Sequence, residues 1–502
     1  MDRLKKFLFR RPVLFLTLFY FLFRLPFFTR LPIFIDEATY LDWGWRTIHI
    51  PGLFFFPLVW SKMPLSMWLF GIFQSVFTDP LLAGRLVSTF TGWLTLLGLF
   101  LLTRHVFNLK TAFTSGFLYI IIPVFAFYDR QALMESALGS AGIWACYFLT
   151  RLVEKPHLKW SALLGFSLGL AFLIKANGLV FVPATALILL YYVWKSPAKR
   201  FSLAIQSVYI LGSFILTSSV VLMQDIYWKY AGDITFFTLT PAELIRFPVS
   251  TWLTNLWFNL SMAFWYLTPL IFIAVFLGRK KVGIPAFWPV LTILIATLLV
   301  RHTETRYLAP YLAPLLLFAA DWLSPRLKLL SVFIIPALAI TTLLIISPPD
   351  YFKFLSRFTR FSQITEYLSG RNTGYQVQAT LEYLKSHLPQ TPVYVAVAAN
   401  AGNPEQAILT YMRHRPDTYI GYLHDNIFGD ILKSVSCFSA SVPVFFVARH
   451  DEQVGLNQYF MPVVKIANKY NSDYETIYTL KTPCTGKTLN LDNLISYYSR
   501  VL

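Results

Sequence analysis

The sequence predicts an α-helical polytopic membrane protein that ends in a smaller soluble α/β domain, and three observations lead to this fold class. Hydrophobic residues make up 56% of the 502 residues and charged residues only 14%, whereas soluble globular chains are about a quarter charged. Long apolar segments recur through the first two-thirds of the chain. Charged residues are more frequent in the last third of the chain. A wholly soluble protein is therefore excluded.

A helix that spans a bilayer needs about 20 mostly apolar residues. About eleven segments meet this condition, and two of them nearly touch, so they must form a tight helical hairpin. The segments are 12–30, 81–103, 111–128, 132–150, 160–175, 178–194, 202–223, 252–277, 284–300, 307–323 and 329–347. We therefore expect about eleven transmembrane helices.

Basic residues cluster in alternate connections between these segments. They are Arg104, Lys110, Arg151, Lys155, Lys159, Lys195, Lys199, Arg200, Arg279, Lys280, Lys281, Arg326 and Lys328. With eleven spans these connections share one side with the amino terminus, and the positive-inside rule makes that side cytoplasmic. The same clustering explains the net charge of +18 without a nucleic-acid partner. We expect a multi-pass plasma (inner) membrane protein, or an endoplasmic reticulum protein in a eukaryote.

This topology places 31–80, 224–251, 301–306 and everything after about 348 outside. The 31–80 segment is rich in tryptophan and phenylalanine but is interrupted by Pro51, Pro57 and Pro64. It is too interrupted to span a bilayer, so we expect short interfacial helices along the outer leaflet.

The carboxy-terminal third has the pattern of a soluble fold. Segments 393–399 and 442–448 are apolar enough for buried strands, while 374–388 and 403–414 have helical patterns. We therefore divide the chain into a membrane domain, 1–347, and an extracytoplasmic α/β domain, 348–502. The second domain either binds an acceptor or caps the cavity of the first.

Ionisable residues at membrane depth are costly, so they are functional candidates. A set of such residues falls on the outer side and is expected to converge on one outward-facing cavity: Arg24, Asp36, Glu37, Lys62, Arg85, Asp129, Arg130, Glu135, Lys175, His302, Glu304, Arg306 and Tyr307. Purely structural roles are also open, namely loop acids (Asp36, Glu37), interfacial anchors (Lys62, His302, Arg306, Tyr307), a snorkelling or charge-neutralising arginine (Arg24) and an ion pair (Arg85 with Glu135). No segment has a convincing metal motif.

Six motifs appear in a recognisable order. They are Asp36-Glu37 with Tyr40, the K-P-P-L-like Lys62–Leu65 with Trp68, the A-R-L-P-S-like Gly84–Ser88, the R-x-x-x-x-D-like Arg130 and Glu135, the T-K-G-like Ile174–Gly178, and the R-Y-L-L-P-like Arg306–Pro310. Over residues 10–325 the chain resembles the GT-C superfamily of membrane glycosyltransferases, in the branch of protein O-mannosyltransferases and lipid A aminoarabinose transferases. It departs from the pattern at Met63, where the family has proline, and at Glu135, where it has aspartate.

The resemblance implies an inverting glycosyltransferase that moves a sugar from a polyprenyl-phosphate donor to a hydroxyl acceptor on a lipid, glycan or protein. Asp36 would be the base and Glu37 would position the acceptor or sugar. The implied substrate-binding residues are Tyr40, Lys62, Arg85, Glu135, Lys175, Arg306 and Tyr307. A phosphate leaving group needs cations rather than a general acid, whereas hydrolysis of an ordinary glycosidic bond needs two carboxylates.

The same branch implies no essential metal cofactor, although Asp36 as a ligand for a divalent metal stays open. Other functions also stay open. A polysaccharide ligase or polymerase would use a diphosphate-linked glycan, and a lipid or solute transporter would hide charges in a similar bundle. A transporter more often shows paired repeats, and the sequence shows none. A non-catalytic scaffold would have no need of Asp36.

Overall fold

The computed structural model describes residues 11–278, 283–358, 366–369, 372–391, 393–398, 403–415, 417–423, 443–450, 460–470 and 472–480. The chain folds as two compact units. The first contains Met1–Phe28, Trp43–Val76 and Ala83–Tyr351, and the second contains Thr29–Asp42, Phe77–Leu82 and Phe352–Leu502. The second unit thus draws two short segments from the amino-terminal part of the chain.

Helices dominate the chain up to residue 356. In chain order they are α1 (Pro12–Arg24), α2 (Ile35–His49), α3 (Leu65–Gln74), α4 (Pro80–Val106), α5 (Leu109–Ile121), α6 (Pro123–Tyr128), α7 (Glu135–Glu154), α8 (Leu158–Ile174), α9 (Phe181–Lys195), α10 (Arg200–Leu222), α11 (Asp225–Tyr230), α12 (Pro241–Ile245), α13 (Val249–Tyr266), α14 (Pro269–Leu277), α15 (Ile284–Leu299), α16 (Ala309–Leu312), α17 (Leu316–Leu323), α18 (Leu327–Ile346) and α19 (Pro348–Ser356). Several begin with proline, whose missing N–H would be unbonded there in any case.

Among the described residues, four helical segments are long and apolar enough to cross a membrane. They are Pro80–Val106, Ala176–Lys195, Pro197–Leu222 and Lys328–Ile346. The pair α13 and α14 would make a fifth span, although it bends by 105°. Shorter apolar helices, among them α1, α5, α8 and α15, accompany them. The multi-pass character is supported, but the predicted number of eleven spans is not confirmed.

Several predicted spans are shortened or broken, and the breaks have local causes. The predicted span 111–128 divides before Pro123, since proline disfavours helical backbone at the residue before it. The predicted span 252–277 breaks at Thr268, which has φ +66° and precedes Pro269. The predicted span 307–323 divides into shorter helices around Pro310 and Pro314.

The second unit contains a five-stranded mixed sheet with the order β2-β1-β3-β5-β4. The strands are β1 (Val393–Ala398), β2 (Thr418–Leu423), β3 (Val444–Arg449), β4 (Phe460–Ala467) and β5 (Tyr474–Leu480). β1 pairs in parallel with β2 and β3, whereas β5 pairs antiparallel with β3 and β4. The two predicted strands are observed as β1 and β3.

Two helices complete this sheet domain, α20 (Tyr375–His387) and α21 (Glu405–Met412). Both lie within the segments that the sequence predicts to be helical. α20 packs against β4 and β5, and the Thr380 hydroxyl donates a buried hydrogen bond of 2.5 Å to the Glu475 carboxylate. The small carboxy-terminal sheet and its helices therefore agree with the predicted α/β character.

The segment Thr29–Asp42 is built into the second unit. The Ile35 N–H donates to the Asn372 carbonyl at 3.1 Å, and Arg413 pairs with Asp42 at 2.6 Å. The Ile33 carbonyl lies only 2.1 Å from the position that a Cβ on Gly374 would occupy, so glycine is required there. Nothing in the local sequence of residues 29–42 indicates this association, because the partners lie more than 300 residues away.

Candidate functional site

Lys62 is held by a rigid local structure. The short 3₁₀ helix Phe56–Trp60 ends at Ser61, which is left-handed with φ 54°. The Lys62 N–H then donates to the Pro57 carbonyl at 3.1 Å. On either side of this turn, Leu58 and Met63 are buried in an apolar cluster with Phe172, Leu173 and Val221. The backbone of Lys62 is thus fixed from both sides.

Lys62 lines a cavity of about 910 Å³ in the first unit. The wall combines aromatic and polar residues, which are Trp43, Trp60, Lys62, Gly232, Phe236, Phe237, Arg301, His302, Glu304 and Tyr307. Trp43 and Trp60 are stacked, with ring centroids 6.1 Å apart. Lys62 and Tyr307 were predicted from sequence to belong to one site, and the structure brings both to this cavity. We call it the Lys62 cavity.

Lys62 presents a largely desolvated ammonium group to the cavity. Its Nζ lies 4.8 Å from the centroid of the Phe237 ring. Burial, with a smaller contribution from the charge of Lys175, lowers the pKa of Lys62 from 10.5 to about 8. Among the described residues no carboxylate forms an ion pair with Lys62. A partly buried cation of this kind is stabilised by an anion that enters the cavity.

Three of the predicted residues contact one another beside this cavity. Lys175 Nζ donates to Glu135 Oε1 at 2.7 Å and also lies 4.8 Å from the centroid of the Tyr307 ring. Gly178 makes the turn after Lys175 possible, because a Cβ at Gly178 would lie 2.2 Å from the Ala171 carbonyl oxygen. Glu135 was predicted to pair with Arg85, whereas the ion pair observed for Glu135 is with Lys175.

Arg306 and Tyr307 lie in the short 3₁₀ helix Thr305–Tyr307. The Arg306 guanidinium is 5.7 Å from the centroid of the Tyr307 ring. Tyr307 therefore has two cations, Lys175 and Arg306, within cation–π distance. This arrangement concentrates positive charge around one phenol that also lines the Lys62 cavity.

Arg301 lines the cavity and was not singled out from the sequence. Its Nη1 and Nη2 bind the two oxygens of Glu243 at 2.7 and 2.9 Å. Glu243 also closes a capping box with Thr240 at the start of α12. The hydrogen bonds from Arg301 and then from Thr240 hold the pKa of Glu243 down at about 2. Arg301 is held at the cavity by its pairing with Glu243, which is distant in the sequence. The local sequence around Arg301 therefore gives no signal for its position.

A backbone bridge joins the same two segments. Thr238 and Val300 form an isolated antiparallel bridge, and the Arg301 N–H donates to the Phe237 carbonyl at 2.9 Å. Further along, Asn255 of α13 donates to the Val300 carbonyl at 2.9 Å. These contacts fix Phe237 and Arg301 on neighbouring parts of the cavity wall.

His302 and Glu304 are both on the wall of the Lys62 cavity. Burial raises the pKa of Glu304, while the nearby His302 opposes this effect. Among the residues that the structure describes, no group of three or more histidine, cysteine, aspartate or glutamate side chains is arranged to hold a metal ion.

Arg85 and Arg130 are occupied by the backbone that follows α1. Arg85 is fully buried and its Nη1 donates to the Phe28 carbonyl at 2.8 Å. Arg130 Nη2 donates to the Phe27 carbonyl, also at 2.8 Å. These contacts attach both side chains to the backbone that follows α1.

Arg24 and Asp129 form a buried ion pair of 3.1 Å. Arg24 also donates to the carbonyl of Ile120 at 2.8 Å, and the hydroxyls of Tyr119 and Ser136 donate to Asp129. The prediction that Arg24 neutralises a neighbour is therefore the one that the geometry favours.

Asp36, Glu37 and Tyr40 lie in the part of α2 that belongs to the second unit. Glu37 is fully buried, and its Oε2 accepts the Phe34 N–H at 3.0 Å, so it caps the start of its own helix. Asp36, the neighbouring acid, is only partly buried. Tyr40 is buried. The two predicted catalytic acids thus have different environments.

Comparison with known proteins adds a family and a fold. Residues 61–228 match the family of dolichyl-phosphate-mannose-protein mannosyltransferases. The crystal structure of ArnT from Cupriavidus metallidurans in the apo state matches with a TM-score of 0.61 at 14% identity, covering 95% of this chain and 98% of that chain. Its undecaprenyl phosphate-bound form matches with a TM-score of 0.59 at 13% identity, covering 96% and 99%.

The oligosaccharyltransferase of Archaeoglobus fulgidus, in a complex with Zn and sulfate, matches with a TM-score of 0.50 at 14% identity. That match covers 92% of this chain and 72% of the other. No curated protein matches the sequence.

The family match covers residues 61–228, and over nearly its whole length the chain shares the fold of ArnT. The chain is thus similar to ArnT in fold and to the protein mannosyltransferases in the sequence of residues 61–228. This confirms the resemblance that the order of the sequence motifs predicted.

Proposed function

We propose that the protein is an inverting glycosyltransferase that moves a sugar from polyprenyl phosphate to a hydroxyl acceptor on the extracytoplasmic face. The observation that carries the proposal is Lys62, a desolvated ammonium without a carboxylate partner among the described residues, in an aromatic-walled cavity. Negative charge develops on the phosphate as it leaves the sugar, and a fixed cation stabilises that charge.

In the proposed reaction, the acceptor oxygen forms a bond to the anomeric carbon while the bond from that carbon to the phosphate oxygen breaks. The bonding electrons leave with polyprenyl phosphate, and the hydroxyl proton passes to Asp36. Attack from the face opposite the leaving group inverts the anomeric centre. Asp36 stands in the first turn of α2.

Lys62 binds the donor phosphate in this proposal, Arg306 adds positive potential, and Lys175 and Tyr307 contact each other beside the cavity. Glu135 holds Lys175 in place. Glu37 fixes the start of the helix that carries Asp36, so it positions the base. Tyr40 lies on the same helix. Arg85 donates a hydrogen bond to the backbone after α1. The reaction needs no divalent metal in this proposal.

The comparisons support the donor class. ArnT from Cupriavidus metallidurans has been crystallised bound to undecaprenyl phosphate, and the matching family is described by dolichyl-phosphate-mannose. Both molecules are polyprenyl phosphates. The sugar and the acceptor, whether lipid, glycan or protein, are left to experiment.

We further propose a plasma (inner) membrane location with the amino terminus in the cytoplasm and residues 348–502 outside. The alternation of basic connections in the sequence supports this orientation. The sheet of the second unit would then face the compartment in which transfer occurs.

The test combines purified protein, radiolabelled polyprenyl-phosphate sugars in detergent and a cell-envelope acceptor extract. Wild type should transfer label, whereas Asp36→Asn should lose transfer and keep donor binding. A chelator should leave wild-type transfer intact. Equal transfer by both proteins would remove Asp36 from its role. The absence of donor binding across a panel of sugars would favour a ligase with a diphosphate-linked donor or a transporter.

A further inference from the structure

We propose that Glu243 makes the Lys62 cavity selective for monophosphate-linked over diphosphate-linked polyprenyl donors, because it binds Arg301 and cancels its charge. This inference rests on the proposed function, since it concerns the donor that the same cavity binds. It assigns a specificity role to two residues that no sequence motif identifies.

The geometry of the pair is well suited to such a role. Arg301 lines the cavity, whereas Glu243 lies outside the set of residues that form the wall. Both oxygens of the carboxylate are engaged by the guanidinium, at 2.7 and 2.9 Å. The parallel fork fixes the direction of the guanidinium as well as its charge. Each partner keeps a third of its side chain exposed.

Glu243 stays ionised and stays in place. Thr240 donates to Glu243 Oε2 from its N–H at 2.8 Å and from its hydroxyl at 2.9 Å. The pKa of Glu243 lies near 2, so the pair remains charged throughout the physiological range. The partner of Arg301 is therefore a permanent feature of the fold.

The charges around the cavity then match one kind of donor. Lys175 is neutralised by Glu135, and Arg301 is neutralised by Glu243. Lys62, on the wall itself, has no ion-pair partner among the described residues, whereas Arg306 lies outside the set of residues that form the wall. A sugar joined to polyprenyl phosphate is a phosphodiester with one negative charge. A sugar joined to polyprenyl diphosphate carries two, and its second charge would need a second available cation.

Glu243→Gln is the direct test, because glutamine keeps the size of the side chain and removes its charge. Dissociation constants would be measured for a sugar-linked polyprenyl phosphate and a sugar-linked polyprenyl diphosphate of equal chain length, on the full-length protein in detergent. We expect the diphosphate affinity of Glu243→Gln to rise about tenfold relative to its monophosphate affinity, since a released arginine adds one charge-assisted contact.

Two further variants distinguish a change in donor selectivity from a loosening of the segment that carries Glu243. The double variant Glu243→Gln with Arg301→Gln should return the ratio of the two affinities to the wild-type value. Thr240→Val loosens the start of α12 but keeps the ion pair, so it should leave the ratio unchanged. A ratio that shifts equally in Thr240→Val would overturn the inference.

The wild-type measurements distinguish this inference from the proposed function. If wild type binds polyprenyl phosphate and the ratio does not change in Glu243→Gln, the selectivity role is wrong and the proposed function stands. If wild type binds neither lipid, the proposed function itself fails, and the selectivity role fails with it. A wild type that already prefers the diphosphate would contradict the selectivity role and would also favour the ligase with a diphosphate-linked donor over the proposed function.

Discussion

Lys62 is costly to the folded state, because burial opposes its positive charge. Its pKa falls from 10.5 to about 8, and each unit of such a shift corresponds to about 1.4 kcal/mol between the two protonation states. Lys175 pairs with Glu135 and so avoids part of this cost. A lysine kept without such a partner at the wall of a cavity is what an anion-binding site requires.

The lowered pKa gives a pH dependence for donor binding. Lys62 loses its proton as pH rises through about 8, so the affinity for polyprenyl phosphate should fall by up to about tenfold per pH unit above that value. Lys62→Arg stays charged, and its affinity should be nearly flat from pH 7 to 10. Titration of binding against pH checks this, and an equal decline in Lys62→Arg would contradict it.

The lowered pKa of Lys62 makes the stability of the folded protein change with pH in the opposite direction to donor binding. Between about pH 8 and 10.5 the unfolded chain binds a proton at Lys62 that the folded protein has released. The contribution of this group to the unfolding free energy therefore increases with pH across that window. Binding weakens over the range in which this stability contribution improves.

Several residues that the sequence motifs singled out lie close together in the structure. The wall of one cavity contains Lys62 and Tyr307. Lys175 and Arg306 lie against the Tyr307 ring, and Glu135 accepts a hydrogen bond from Lys175. Arg301 and Phe237 were missed. Their positions depend on the bridge between segments near 238 and 300, which no local pattern encodes.

At the level of elements, a buried polar network joins α1, α5, the end of α6 and α7. Arg24, Asp129, Tyr119 and Ser136 satisfy one another. Removing one partner leaves an uncompensated buried charge, which typically costs about 3–5 kcal/mol. Asp129→Ala should therefore lower the thermal stability in detergent sharply. The double variant Arg24→Met with Asp129→Leu should recover most of the loss, and an Asp129→Ala protein as stable as wild type would show that the network contributes little.

The turn between α8 and α9 depends on one glycine. Gly178→Ala would place a Cβ 2.2 Å from the Ala171 carbonyl, so the turn that carries Lys175 must shift. We expect a loss of about 1–3 kcal/mol and weaker donor binding.

Gly212→Ala in α10 is the matched control, because no atom lies within 4 Å of the added Cβ. It should be neutral or stabilise the helix by about 1 kcal/mol. Thermal unfolding and donor affinity would be measured for both variants. Unchanged donor affinity in Gly178→Ala would separate Lys175 from the site.

Helix positions could be predicted from apolar runs, but helix breaks could not. The segments that became α4, α9, α10 and α18 carry continuous apolar sequence, so length alone identified them. The bend of 105° between α13 and α14 was not predicted, because Pro269 is compatible with either a kinked span or a break.

At the level of the whole molecule, the proposed topology has a direct test by cysteine labelling. In a background with Cys437 and Cys484 replaced, Ser386→Cys should react with a membrane-impermeant reagent in intact cells. Lys159→Cys should react only after permeabilisation. Both side chains are exposed in the structure, so access depends on the membrane. The reverse pattern would invert the topology.

The division of the chain into two units could be predicted only in part from the sequence. The change in composition near residue 348 indicated the carboxy-terminal domain, and the structure places a unit boundary at Tyr351. The inclusion of Thr29–Asp42 in the second unit depends on contacts such as Arg413 with Asp42, which join residues far apart in the chain. The native association of such segments has no local signature.

The affinity of Lys62→Met for polyprenyl phosphate is the measurement that bears most directly on the function of the Lys62 cavity. Donor binding should fall at least about tenfold because a charge-assisted contact is lost, while the melting temperature should rise because the desolvated charge is gone. Lys155→Met, at an exposed lysine, should change neither. Unchanged donor binding in a folded Lys62→Met protein would contradict the assignment of the phosphate site to this cavity.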